Sequence, residues 1–263
     1  MNLHAGIDAW GRPFDAEAAV RALNGDITIL QECWSPPDGP SFAERVARSM
    51  DAVSIDAEMA TGRRALPHDD PPDHWHRRKA FLDGDHSLYL DSEVPLSPRI
   101  LSSSRYGEAE HGVFGLGVIS RFPVMATSVI TLDRVRKDRA RRVLIFLMLE
   151  IENQAVLVVA THMTHLTYGS PLHFAKLRRS LRTQTSTTTP VILGGDMNLW
   201  GPPATLQLPG LRRAVKGRTW PAWGPHSQVD HLFVNRLVVV ESACVEKDVG
   251  SDHLPVSAVL RTL

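Results

Sequence analysis

Pro190-Val191-Ile192-Leu193-Gly194-Gly195-Asp196-Met197-Asn198 is an apolar run that ends in a glycine pair, an aspartate and, two residues on, an asparagine. Its aliphatic residues predict a strand. The glycines predict a tight turn close to a ligand, since they lack the Cβ that forbids such backbone. Alternate residues of extended chain point the same way, so Asp196 and Asn198 are presented together. Related patterns recur along the chain. Leu30-Gln31-Glu32, Thr161-His162, Val229-Asp230-His231 and Gly250-Ser251-Asp252-His253 each sit at or near the end of a strongly apolar run. Strand ends are where a sheet can gather carboxylates and imidazoles around one point. Such a group binds a hard cation through oxygen and polarises a phosphate ester.

Outward from these motifs, Phe14 to Leu23 predicts a short helix stopped by Asn24-Gly25. Asp26 to Leu30 predicts a strand ending at Gln31-Glu32. Ser41 is the expected N-cap of a helix to about Ala52, with Phe42, Val46 and Met50 at helical spacing. Strands are predicted at Gly115 to Ser120, Val124 to Leu132, Arg142 to Ile151 and Ala155 to Thr161, with a hairpin turn at Glu152-Asn153-Gln154. Ser170-Pro171 opens a helix to about Arg182. Val229 to Val234, Leu237 to Val245 and Leu254 to Leu260 complete the strands. Long strand runs with a few helices between them predict two packed sheets with helices outside. Residues from about 62 to 112 break this pattern with Pro67, Pro71, Pro72, Pro95, Pro98 and a Ser102-Ser103-Ser104 run, and only Ser87 to Leu90 is strand-like. This stretch lacks the apolar periodicity for a core of its own. It reads as an irregular insertion within one domain spanning residues 1–263.

A chain of 263 residues can bury a substantial core. Lys+Arg and Asp+Glu both total 29, so the formal net charge is +0. A nonspecific DNA binder ordinarily carries a basic surplus, because phosphate contacts supply most of its affinity. Neutrality argues against that class, although a local patch would suffice. Cys33 and Cys244 are too few for a disulfide framework. They are expected as buried thiols in a reducing compartment, with a single disulfide as the alternative. No basic-then-apolar leader and no membrane-spanning apolar run is present, so a cytoplasmic protein is expected.

In this order, the motifs resemble those of the endonuclease/exonuclease/phosphatase superfamily, whose members are similar to deoxyribonuclease I. The resemblance runs from Asn2 to Val256. It implies an α/β fold, a four-layer α/β/β/α sandwich of two packed mixed β-sheets flanked by helices, with the active site at one edge of the paired sheets. It also implies a magnesium-dependent hydrolase, with manganese as a substitute, that cleaves a phosphate ester by in-line attack of water. By the same resemblance Glu32 is the main metal ligand and Asn2 matches the first-motif asparagine, able to contact metal or phosphate. An ordinary N-terminal residue is the competing reading of Asn2, because no strand precedes it. Asp252 is read as a second metal-side carboxylate. Asp196 orients or deprotonates water, Asn198 holds a phosphate oxygen, and His162 contacts the phosphate or protonates the leaving group. Asp230 and His253 read as a carboxylate–imidazole pair in which the carboxylate fixes the tautomer and favours the imidazolium.

Other features carry less. Arg134, Arg136, Lys137, Arg139, Arg141 and Arg142 form a basic stretch that reads first as a solvated hairpin connection. Arg142 is its candidate substrate contact, since some relatives carry an arginine at the start of this strand. Trp200, Trp220 and Trp223 follow the motifs and read first as core or rim residues, with contact to a base or lipid as the alternative and Trp200 the candidate substrate contact. His162 and His165 have a zinc-like spacing but no completing thiol or histidine pattern. The His68–His86 stretch, rich in His and Asp, reads first as a surface insertion, with metal binding or a substrate-selecting lid as the alternatives. The expected substrate is a phosphate ester of a small molecule or lipid head group. A DNA or RNA endonuclease or exonuclease is the alternative, and a non-catalytic binding protein on this fold comes third.

Overall fold

The computed structural model describes residues 1–9, 12–64, 88–90, 110–135, 138–165 and 170–263. Two sheets stack face to face. The first contains β1 (Ile27–Ser35), β2 (Val53–Arg64), β3 (Leu88–Leu90) and β4 (Glu110–Ser120) in the order β1-β4-β2-β3, all antiparallel. The second contains β5 (Val124–Thr131), β6 (Val143–Ile151), β7 (Gln154–His162), β8 (Val191–Asp196), β9 (Arg212–Arg213) and β10 (Asp230–Val234) in the order β5-β6-β7-β8-β10-β9. Only β7 and β8 run parallel, so the second sheet is mixed and the first is antiparallel. β11 (Val238–Val245) and β12 (Val256–Thr262) form a further antiparallel pair.

The four layers follow from side-chain alternation. Ile145, Leu147 and Leu149 of β6 and Val156, Val158 and Ala160 of β7 point inward and meet Leu116 and Val118 of β4. Leu144, Phe146, Leu157 and Val159 point the other way. They are covered by Phe174 and Leu177 of α3 (Ser170–Gln184) and Ala204 of α4 (Gly201–Gln207). On the far side, Leu30 of β1 and Ile119 of β4 pack under Val20 of α1 (Ala16–Leu23) and Phe42 and Val46 of α2 (Phe42–Ser49). A strand buried on both faces reads as a continuous apolar run, which is how β6 and β7 look in the sequence.

The cap at Ser41 forms as expected, with its Oγ accepting the Glu44 N–H at 3.0 Å. The Glu152-Asn153 turn also forms, both residues at positive φ (50° and 62°) as a tight hairpin needs. Other elements differ from expectation. β1 does not end at Glu32 but continues to Ser35. Glu32 instead sits in a register shift between Gln31 and Cys33, at φ 55°. Such a bulge bends a strand and re-aims a side chain. β2 and α4 were not anticipated. Cys33 is buried as expected, whereas Cys244 is exposed; both are free thiols. At the edges of the proline-rich stretch, Gly62–Arg64 of β2 pair with Leu88–Leu90, and Glu110–Gly112 belong to β4. The remainder of that stretch, including its histidines and aspartates, lies outside the described residues, as do Arg136 and Lys137. Among the described residues no helix is long and apolar enough to cross a membrane.

Candidate active site

The N-terminal residues lie alongside β1. Asn2 forms a parallel bridge with Gln31, and the Leu3 N–H donates to the Gln31 carbonyl at 2.9 Å. This places Asn2 next to the Glu32 bulge. The buried Asn2 amide donates from Nδ2 to Glu32 Oε1 at 3.1 Å and to Asp196 Oδ2 at 3.2 Å.

Sheet register assembles the next three residues. His162 at the end of β7 is paired with Asp196 at the end of parallel β8, and Asp196 is paired on its other side with Asp230 at the start of antiparallel β10. Gly195 permits this closeness. At φ 145° a Cβ there would stand 1.9 Å from the Thr161 carbonyl oxygen. His162 Nε2 lies 3.7 Å from Glu32 Oε1 and 3.6 Å from Asp196 Oδ2. His253, from the loop before β12, places Nδ1 2.8 Å from Asp230 Oδ2 and Nε2 4.0 Å from both Asp196 Oδ2 and Asp252 Oδ1. Asn198 adopts the left-handed region (φ 48°), where asparagine is tolerated. Its N–H donates to Asp196 Oδ1 at 2.8 Å and its Nδ2 to the Met163 carbonyl at 3.0 Å. Asn2, Glu32, His162, Asp196, Asn198, Asp230, Asp252 and His253 therefore converge on one edge of the paired sheets.

Their electrostatics divide the groups. Burial, then repulsion from Asp230, pushes the Asp196 carboxyl up to about 7. Burial also opposes ionisation of Asp230, but the His253 charge and hydrogen bond hold that carboxyl below its ordinary range. Burial opposes charge on His253 too, yet Asp230, Asp252 and Asp196 lift its imidazole well above the usual value. His162 goes the opposite way: burial and then the charges of Arg142 and His253 hold it well below. One imidazole is thus held cationic and the other neutral at the same site. Environments that push two titrating groups apart are how a fold separates donor and acceptor roles.

Among the described residues, Asp196, Asp230 and His253 each offer a ligand atom within 4.8 Å of the others. His253 is already hydrogen-bonded to Asp230 and held protonated, so this trio is an ion pair beside a carboxylate more than a ready ligand set. The carboxylates Glu32, Asp196, Asp230 and Asp252 nonetheless outnumber the cationic imidazole among them. Oxygen donors with excess negative charge fit a hard divalent cation.

Residues 4–253 match the profile of the Endonuclease/Exonuclease/phosphatase family. The chain belongs to this family. Members of the family are hydrolases acting on phosphoester bonds. Solved structures of like fold include an endonuclease/exonuclease/phosphatase from Beutenbergia cavernae, 19% identical, covering 99% of this chain and 70% of that one at a TM-score of 0.62. A family protein from Leptotrichia buccalis is 14% identical and covers 99% of this chain and 97% of that one, with a TM-score of 0.63. The human Nocturnin catalytic domain with bound sulfate is 16% identical and covers 93% and 83%, with a TM-score of 0.59. A sequence comparison with the curated proteins finds no match.

Arg142 and Trp200 are the remaining candidates. The Arg142 guanidinium is mostly buried and bound twice to Asp138, Nε to Oδ2 at 2.7 Å and Nη2 to Oδ1 at 3.3 Å. It acts on the site through its charge on His162 and is not an open substrate contact. Trp200 precedes α4 and is exposed. His231 is buried, with Nε2 2.8 Å from the Leu199 carbonyl and its ring beside Phe233, on the sheet face covered by α4. Sequence reasoning missed Thr219 and His4. His4 Nδ1 lies 3.7 Å from Asp252 Oδ1, and its place two residues after Asn2 was its only signal. Thr219 lies in a loop without strand periodicity and carried none.

Proposed function

We propose that this chain hydrolyses a phosphate ester of a small molecule or lipid head group in a magnesium-dependent reaction, by in-line attack of water. The observation that carries the reading is the row His162, Asp196 and Asp230 on adjacent strand ends, closed by Glu32 and His253. Asp196, with its carboxyl near 7, is matched to neutral pH as the base that orients the water and takes its proton. His253, kept charged by Asp230, donates a hydrogen bond to a phosphoryl oxygen as charge grows there. Asn198 keeps one amide N–H for a second phosphoryl oxygen, its other contact anchoring it to Met163. His162, held neutral, hydrogen-bonds at the leaving oxygen. Glu32, with Asn2 and Asp252, would hold the magnesium ion, for which manganese is a possible substitute. When bound, that ion supplies Lewis-acid polarisation of the phosphoryl group and charge stabilisation at the departing oxygen. The sulfate on Nocturnin is a tetrahedral oxyanion of the shape proposed for this site. Residues 1–263 act as one catalytic unit, with an insertion at about 62–112.

A small substrate is favoured over nucleic acid because two arginines of the basic stretch are tied up within the protein. Arg142 is tied to Asp138, Arg139 donates to the Leu90 carbonyl at 3.2 Å, and the formal net charge is +0. The test is a screen of phosphomonoesters, phosphodiesters and nucleic acids with magnesium, manganese or EDTA. Turnover that EDTA abolishes is expected. It falls by about two to three orders of magnitude in Asp196→Ala and His253→Ala, with the fold intact. Wild-type turnover in either variant overturns the roles. DNA binding that weakens steeply with salt would shift the substrate to nucleic acid.

A further inference from the structure

The Asp230–His253 bond joins the start of β10 to the loop before β12, yet no strand ladder links the two segments. Residues 219–227 bridge them. The bridge is closed on itself by Trp220 and Ser227, which exchange backbone hydrogen bonds at 3.0 Å each way. On the β10 side, the fully buried Thr219 accepts the Val229 and Asp230 N–H groups on Oγ1, both at 3.2 Å. On the other side, the Ala222 N–H donates to the Asp252 carbonyl at 2.7 Å and the Leu254 N–H to the Thr219 carbonyl at 2.8 Å. The Trp220 indole N–H reaches Asp252 Oδ2 at 3.4 Å, and the indole ring lies 6.4 Å from the His253 ring at 49°. One short segment therefore grips the carboxylate half of the pair from one side and the imidazole half from the other.

We propose that Thr219 and Trp220 are positioning residues that set the distance and angle of the Asp230–His253 pair. The effect on rate rests on the reading that His253 acts on the phosphoryl group. The physical need is plain. Sheet register fixes the Asp230 end of this bond but not the His253 end, which lies on a loop, and misplacing a reacting group by about 1 Å can cost about 100-fold in rate. Of the indole contacts to Asp252 and His253, the ring against His253 matters more, because the indole-to-carboxylate hydrogen bond at 3.4 Å is long. Thr219 is the more stringent member, since losing its hydroxyl leaves two buried backbone donors without that acceptor.

The test compares Trp220→Phe with Trp220→Leu and Thr219→Ser with Thr219→Val, each in the full chain. Two quantities are read: kcat and KM on a phosphoester that the wild type turns over, and the downfield imidazole N–H proton resonance of the Asp230–His253 bond. Trp220→Phe and Thr219→Ser are expected to stay within about threefold of wild type and keep the resonance. Trp220→Leu and Thr219→Val are expected to lose about 30- to 100-fold in kcat with KM little changed, and to broaden or lose the resonance. If Thr219→Val fails to fold, the Trp220 pair decides. Trp220→Leu with wild-type kcat and resonance overturns the proposal, as does an equal loss in Trp220→Phe and Trp220→Leu. A wild type that turns over no phosphoester overturns the proposed function instead, and the resonance alone then decides this inference.

Discussion

Asp196→Asn is expected to stabilise the fold while removing activity. Asp196 is buried, and its carboxyl stands at about 7 against an ordinary 3.8, through burial first and repulsion from Asp230 second. An acid whose folded value lies above its unfolded value binds its proton more tightly when folded, so ionising it destabilises the fold. The penalty is absent below 3.8, grows as pH rises toward about 7 and is constant above. At about 1.36 kcal/mol per pH unit this gap is worth about 4 kcal/mol. Asparagine cannot ionise. It keeps an acceptor for the Asn198 N–H but loses the hydrogen bond from Asn2 Nδ2, a loss of about 1 kcal/mol. The net gain expected near pH 8 without metal is about 2–3 kcal/mol, or a Tm higher by about 4–9 °C. Urea and thermal unfolding in EDTA at about pH 4, 6 and 8 measure it, alongside phosphoester turnover expected to fall by about two to three orders of magnitude. An Asp196→Asn protein less stable than wild type at pH 8, or a gap that ignores pH, would refute the reasoning.

The Asp230–His253 pair has the opposite signature. His253, raised above 6.5, contributes stability fully below 6.5 and loses it as pH climbs through its elevated value, while Asp230, lowered below 3.8, contributes above 3.8 and loses it as pH falls through its depressed value. Wild type should therefore exceed His253→Asn in denaturant unfolding most clearly between those two values, and Asp230→Asn should lose about 3 kcal/mol there by stranding a buried cation. Gly195→Ala drives a Cβ into the Thr161 carbonyl oxygen, so circular dichroism melts should show a loss above about 3 kcal/mol, with no turnover. Arg142→Gln removes both the partner of the buried Asp138 carboxylate and a charge that keeps His162 neutral. Unfolding should show a loss of about 3 kcal/mol, and NMR should show His162 titrating closer to 6.5.

The motif residues were legible because their chemistry is carried by side-chain type. Glu32, His162, Asp196, Asn198, Asp230, Asp252 and His253 were named from short patterns, and the structure brings them together. The continuous apolar runs of β6 and β7 were legible because both of their faces are buried. β2 was not, because Asp56, Glu58 and Thr61 break up its apolar residues. α4 was hidden by Gly201-Pro202-Pro203, which reads as a loop although proline suits the first turn of a helix. Glu32 was expected at a strand end because a bulge leaves no mark in composition. Asn2 lies outside any strand run in the sequence, yet a single parallel bridge to Gln31 suffices to place it. Thr219 acts through its hydroxyl on the backbone of a distant segment, which no local pattern encodes.

The proposed function requires Glu32 and its neighbours to hold a divalent cation beside the two imidazoles. The most direct measurement is an anomalous difference map from crystals soaked in manganese. A peak on the Glu32 carboxylate that is absent in Glu32→Ala is the expected result. No peak at this cluster at saturating manganese, or a peak that survives in Glu32→Ala, would contradict the account.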